Sequence, residues 1–148
     1  MSPPPTIRKA RRRDLPRVLE IERASFGVWA YESKLFAEYL LAPASIFLAA
    51  WRSGRLLGYA LCSARGPRSE VVSLAVDPSE RGSGVASALL ASSLRRLRLR
   101  GASRVFLMVR RANRPARGLY AKFGFRQTRL TPGYYEDGAA AWRMSRNL

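Results

Sequence analysis

The chain has 148 residues, with 27 Lys and Arg against 10 Asp and Glu and no histidine, a formal charge of +17 at pH 7. That length fits one domain able to bury a core without disulfide or metal staples, and 47% apolar with 25% charged residues is a globular composition. With no histidine and Cys62 as the lone cysteine, the chain cannot assemble a Cys/His zinc site, a Cys–His dyad or a Ser–His–Asp triad. A lone cysteine suits a reducing, cytoplasmic setting, and no apolar run approaches the ~18–20 residues that span a bilayer.

Residues 1–5 read as a short flexible tail with no secretory core, and residues 6–148 as a single domain. Thr6–Arg8 is a short first strand. Asp14 offers an N-cap, and Leu15, Val18, Leu19, Glu22 and Phe26 follow at helical spacing, with Pro16 tolerated in the first turn. A second helix covers Ser33–Leu41, ended by Pro43. Ile46–Trp51 and Leu56–Ser63 are strands joined through Arg52-Ser53-Gly54-Arg55, a hairpin signal. Glu70–Val76 is a third β-rich run, stopped by Asp77-Pro78. The loop Glu80–Ala86 then leads into a long helix to about Arg100, with Val85, Leu89, Leu90, Leu94 and Leu97 as its apolar stripe and Gly101 closing it. Arg104–Val109 is a strand and Pro115–Phe123 a short helix ended by Gly124. Phe125–Leu130 and Ala140–Ser145 are the last strands, with turns at Pro132-Gly133 and Asp137-Gly138. This order, an antiparallel start followed by strand–helix–strand–helix–strand, fits a single α/β domain with helices on both faces of one sheet.

The charge is uneven. Residues 1–80 carry 12 basic and 8 acidic residues, whereas residues 81–148 carry 15 basic and only 2 acidic, Glu136 and Asp137. Such a skew favours polyanionic partners; a solvated arginine-rich surface is the plainer reading. Both stay open at this level. In the loop Arg81–Ala86, Gly82 and Gly84 lack Cβ, so backbone amides there can approach an anion, and the following helix adds its unpaired N–H groups. Two glycines alone also make an ordinary tight turn. No Lys-Ser/Thr pair follows, which excludes a Walker loop, and the third glycine of the dinucleotide fingerprint is missing.

Arg81-Gly82-Ser83-Gly84-Val85-Ala86 resembles the (Gln/Arg)-x-x-Gly-x-(Gly/Ala) acetyl-CoA motif of the GCN5-related N-acetyltransferases. The run Val109-Arg110-Arg111-Ala112-Asn113 through Leu119-Tyr120 to Gly124-Phe125 resembles the family's V-R-x-x-N-x-x-A-x-x-L-Y-x-x-x-G-F segment. Gly133-Tyr134-Tyr135-Glu136-Asp137-Gly138 is similar to the tail of protein N-terminal acetyltransferases, the nearest subgroup being the RimI-like ribosomal-protein alanine acetyltransferases. The three motifs stand in order, and the likeness runs from about Ile7 to Met144.

The resemblance implies a mixed central sheet splayed at a cofactor cleft. Backbone groups of Leu74, Ala75 and Val76 would hold the pantetheine arm of acetyl-CoA, and the amides of Gly82, Ser83, Gly84, Val85, Ala86 and Ser87 its pyrophosphate. Asn113 would meet the cofactor near the thioester, and Tyr120 would protonate the departing thiolate. The subgroup's glutamate base falls at Met108 here, which cannot take a proton; Glu70, at the opening of the neighbouring strand, is the substitute, with ordered water as the alternative. Tyr134 and Tyr135 match a tyrosine pair that grips the first residues of a peptide, and Trp29 falls where such enzymes wall the acceptor cleft. The acidic pair usual after Asp-Gly is Ala139-Ala140 here. The function implied is acetyl transfer to a primary amine, foremost the N-terminal amine of a protein, with a ribosomal protein and ribosome association through the basic surface included. Two other readings stand beside it: a small-molecule amine acetyltransferase, and a weakly catalytic CoA-binding module that docks on RNA or ribosomes.

Overall fold

The computed structural model describes residues 3–148, so Met1 and Ser2 of the expected tail lie outside the described residues. Pro3 is tied to the domain, its carbonyl accepting a hydrogen bond from Arg52 Nε at 2.7 Å. Strand β1 is Thr6–Lys9. Helices α1, Leu15–Phe26, and α2, Ser33–Leu41, follow. Strands β2, Ser45–Arg52, and β3, Arg55–Ser63, form the expected hairpin. Its two-residue loop places Ser53 and Gly54 at φ 53° and 74°, the left-handed pair that matches the twist of flanking strands. Strand β4 is Arg68–Val76, α3 is Val85–Leu99, and β5 is Arg104–Arg110. The chain ends with α4, Arg114–Lys122, and strands β6, Arg126–Thr131, and β7, Ala141–Asn147. Asp14 stands before α1 as expected, but its side chain does not cap that helix. It reaches back to accept from the Arg11 amide at 2.8 Å, closing the short turn Arg12–Asp14 instead.

The seven strands run in the order β1-β2-β3-β4-β5-β7-β6. Every neighbouring pair is antiparallel except β4 and β5. Helices cover both faces. Val18 and Ile21 of α1 and Phe36 of α2 pack on Phe47, Tyr59 and Leu61. On the other face, Leu89, Leu90 and Leu97 of α3 and Tyr120 of α4 join Leu48, Val105 and Leu107.

Two irregularities open the sheet in its middle. The parallel β4–β5 ladder has three rungs, Arg68↔Arg104, Ser69↔Val105 and Glu70↔Phe106, and then stops. Beyond it, β4 pairs only with β3, and β5 only with β7. On β4 the partner of Leu61 is Ser73 but the partner of Cys62 is Val71, so Val72 is an extra residue, a bulge that bends the strand. Val71 packs with the α3 side, whereas Val72 and Ser73 both turn toward α1.

Candidate active site

Where β4 and β5 part, the domain contains a cavity of about 910 Å³. Six residues singled out from the sequence line it: Trp29, Leu74, Asn113, Tyr120, Tyr134 and Tyr135. They come from four places: the turn after α1, the bulged strand, α4 with its N-cap, and the loop between β6 and β7. Met108, the position without a base, lines the cavity too.

Tyr120 is buried, in edge-to-face contact with Phe125 at 5.8 Å. Its hydroxyl has no hydrogen-bond partner among the described residues, so it is free for a ligand. Burial first, then the nearby Cys62 and Tyr135, push its pKa well above that of an ordinary phenol. Such a group keeps its proton at neutral pH and offers it as a hydrogen-bond donor to the negative charge that develops on a leaving sulfur. Asn113 caps α4, its Oδ1 accepting from the Ala116 amide at 3.2 Å, which leaves Nδ2 as its donor toward the cavity.

The phosphate-type loop stands at the C-terminal end of β4, after a short turn over Pro78–Glu80. Gly82 and Gly84 have φ of +79° and +85°, and an added Cβ would meet nothing within 4 Å at either. Open space beside left-handed glycines is what a backbone cradle requires. The amides of Val85, Ala86 and Ser87 open α3 and have no carbonyl a turn back inside that helix. Ser83 departs from the expected set. Its amide donates to the Glu80 carbonyl at 3.3 Å, as does its hydroxyl, at 2.5 Å, so it braces the loop. The unpaired edge of β4 from Leu74 to Val76 offers backbone groups to an extended amide-bearing arm. Together these features fit acetyl-CoA: peptide-like bonding for its arm, amides for its phosphates, and a protonated phenol near the reacting end.

Glu70 does not line the cavity. It sits on the last rung before the gap, opposite Phe106. Burial raises its pKa, and Arg143 pulls it back. The phenol of Tyr31, a lining residue, feels the charge of Glu70.

The sequence reading missed three participants. Arg110 lies over the Tyr135 ring at 4.1 Å and the Trp29 ring at 5.8 Å, and its guanidinium meets Asp137 Oδ2 at 2.9 Å. It therefore clasps the loop after α1 to the β6–β7 loop across the mouth of the cavity. The Ala139 amide and then Arg110 hold the Asp137 carboxyl below the usual range. Tyr135 stacks edge-on to Tyr134 at 4.9 Å, and burial foremost pushes its pKa up to about 12. Ala139 and Ala140 act here through their backbones, their carbonyls accepting from Tyr135 and Arg111. Tyr31 is the second missed residue. The third is Glu22, an acid inside the apolar stripe of α1, which is buried and lines the cavity.

Comparison with known proteins places this geometry. The acetyltransferase (GNAT) family matches residues 12–125. A Bacillus subtilis protein named as a candidate ribosomal protein bS18-alanine N-acetyltransferase is 32% identical over 132 residues, 88% of this chain and 87% of that one. The N-alpha-acetyltransferase of Sulfurisphaera tokodaii is 31% identical over 160 residues, 96% of this chain and 92% of its own length. Among solved structures, Ard1 from Thermoplasma volcanium superposes with a TM-score of 0.90 at 28% identity, covering 99% of both chains. Acetyltransferases of this family take the acetyl group from acetyl-CoA. The chain belongs to the GNAT family and is an N-acetyltransferase, RimI-like in its relatives, with a mixed seven-stranded sheet open between β4 and β5.

Proposed function

We propose that this chain acetylates the N-terminal α-amine of a protein, a ribosomal protein foremost, in the cytoplasm. The observation that carries the reading is the aromatic mouth of the cavity: Trp29, Tyr31 and Tyr134 are each between 42% and 49% exposed there, with Tyr135 behind them. Half-exposed aromatics on two facing loops suit an extended peptide end better than a compact amine. The relatives point the same way, one named for alanine of a ribosomal protein and one for N-alpha termini.

In this scheme the peptide amine enters past the aromatic mouth and the acetyl donor lies along the open edge of β4. Glu70 receives the amine's proton through water, its pKa raised by burial and partly pulled back by Arg143. Tyr120 gives its proton to the leaving sulfur, and Asn113 Nδ2 orients the reacting end. A base acts only when deprotonated, so kcat/KM rises with pH and levels off above the pKa of Glu70, beyond the ordinary ~4.3 of a glutamate. Glu70→Gln is expected to remove that limb and to lower kcat about 10²-fold. A pH–rate profile on a panel of short peptides, read by CoA release, checks this; an unchanged profile removes Glu70 as the base. A panel on which the wild-type enzyme acetylates no peptide, while it acetylates free polyamines or amino acids, would assign the small-molecule reading instead.

The basic surface supports a ribosomal acceptor. Arg65, Arg68 and Arg104 are exposed at the end of the sheet where the β4–β5 ladder begins, and none pairs with an acid among the described residues. Arg68 and Arg104 are direct register neighbours. Binding to ribosomal RNA is expected to weaken linearly in log[salt], and Arg68→Glu with Arg104→Glu to flatten that slope by about 2. Salt-independent binding, or a slope untouched by both changes, excludes these arginines as phosphate contacts.

A further inference from the structure

The most unusual buried group in the molecule is Glu22. It is 1% exposed, in the middle of a helix face that is otherwise apolar. A carboxylate taken from water into such a place is tolerated only when donors surround it. Glu22 has three. Oε1 accepts from the Tyr59 hydroxyl and, at 3.1 Å, from Ser73 Oγ; Oε2 accepts from the backbone amide of Tyr31 at 2.9 Å. The Tyr59 and Ser73 oxygens lie 2.9 Å apart, and with both protons given to Glu22 neither donates to the other.

These donors belong to separate parts of the fold. Tyr59 is on β3, Ser73 follows the bulge of β4, and Tyr31 is in the loop between α1 and α2. The bulge turns both Val72 and Ser73 toward α1, and so brings the Ser73 hydroxyl within reach. Side chains also hold the α1–α2 loop here, Arg110 over the Trp29 ring and the Tyr31 ring edge-on to Phe36 at 6.4 Å, but the bond to Glu22 is the one that fixes its backbone to the strands. The Ala30 amide closes a short turn on Gly27, the next internal bond is from Leu35 to Glu32, and Val28 beside Trp29 is 88% exposed. The charge of Glu22 is also felt by the Tyr31 phenol.

We propose that Glu22 is a positioning residue for the acceptor. Its carboxylate pins the amide of Tyr31 to the bulge of β4, and thereby fixes the distance between the Trp29–Tyr31 wall and the strand along which the acetyl donor lies. This rests on the peptide-acceptor reading above for its consequence in catalysis, but the tether itself does not depend on that reading. Glu22 touches neither reacting group; it acts through the loop.

The chemistry of the three donors separates holding from proton transfer. In Glu22→Gln, the hydroxyls of Tyr59 and Ser73 can rotate to accept from the new Nε2, while the amide oxygen still receives the Tyr31 N–H. The tether survives and the titratable group is gone. In Glu22→Leu both are lost.

The experiment has two parts. Amide exchange followed by NMR on the wild-type enzyme is expected to show Tyr31 protected at least about tenfold over its neighbour Glu32, whose amide bonds to no described residue. In kinetics with an N-terminal peptide, Glu22→Leu is expected to raise the peptide KM about tenfold, the loss of one well-made hydrogen bond. Its kcat and its KM for acetyl-CoA stay within about twofold, and Glu22→Gln stays near wild type on all three. An unprotected Tyr31 amide in the wild type overturns the tether. So does a Glu22→Gln enzyme as damaged in kcat as Glu22→Leu, which would make Glu22 a proton carrier. A fall in kcat and acetyl-CoA affinity together with peptide affinity would make it a plain core group. If the wild-type enzyme acetylates no peptide, the peptide-acceptor reading fails, while the exchange of Tyr31 still decides the tether.

Discussion

Tyr120→Phe is expected to lower kcat about 10²–10³-fold, the range of a lost general acid. The Tyr120 hydroxyl bonds to nothing among the described residues, so removing it strands no buried partner. The ring contact with Phe125 stays, and with it the packing of α4. Fold and acetyl-CoA affinity should therefore remain near wild type while turnover collapses. Calorimetric titration with CoA beside a CoA-release assay separates the two. The raised pKa of Tyr120 adds a sign: the acid stays protonated across the neutral range, so no descending limb from this group is expected below about pH 10. Full turnover in the Tyr120→Phe enzyme would show that solvent protonates the leaving thiolate.

Gly58→Ala should have the largest effect on the fold for the fewest atoms. A Cβ at Gly58 would come within 2.9 Å of the Ala75 carbonyl oxygen, and within 3.2 Å of the Leu89 and Val76 side chains. The carbonyl belongs to the backbone of β4, where Gly58 is in register with Val76 across the β3–β4 ladder, so it cannot swing aside. The methyl must push β4 away from β3 or lift α3 off the sheet. Overpacking of this kind costs about 1–3 kcal/mol, visible as a drop in Tm. The displaced segment is Leu74–Val76, the open edge proposed for acetyl-CoA, so KM for acetyl-CoA should rise with the loss of stability. A destabilised Gly58→Ala enzyme with wild-type acetyl-CoA kinetics would mean that the edge does not carry the cofactor, and an unchanged Tm would mean that the methyl is accommodated without moving β4.

Much of this was written in the residues. Gly and Pro punctuate the chain at nearly every boundary: the Ser53-Gly54 hairpin, Gly101 after α3, Gly124 after α4. The stripe Val85, Leu89, Leu90, Leu94 and Leu97 is fully engaged in the core. The cofactor loop and the tyrosines were legible as motifs because they depend on local spacing. What escaped depends on distant partners. Nothing local shows that β7 inserts between β5 and β6, since strand order is decided by which edges remain free. Glu22 sits at a stripe position, where an acid reads as a helix side chain on the boundary of a face. Its role appears only when the β4 bulge supplies Ser73 from 51 residues away. Arg110 was visible as part of a motif, but its contacts lie on two loops that the fold alone brings together. Glu70 was placed correctly on its strand, yet its distance from the cavity follows from where the ladder stops.

The three-rung ladder between β4 and β5 also divides the sheet into two leaves, which one continuous core holds together. Four strands, β1 to β4, form one leaf, and β5, β7 and β6 form the other; only Arg68–Glu70 and Arg104–Phe106 join them edge to edge. Each leaf presents a bare inner margin, the kind of edge that invites a foreign strand. Helices on both faces flank these margins, so they are sheltered from another chain while remaining open to a slender molecule entering end-on. Acetyl-CoA bonded along the β4 margin, as proposed above, would fill part of this gap and so become one wall of the passage through which the acceptor must come.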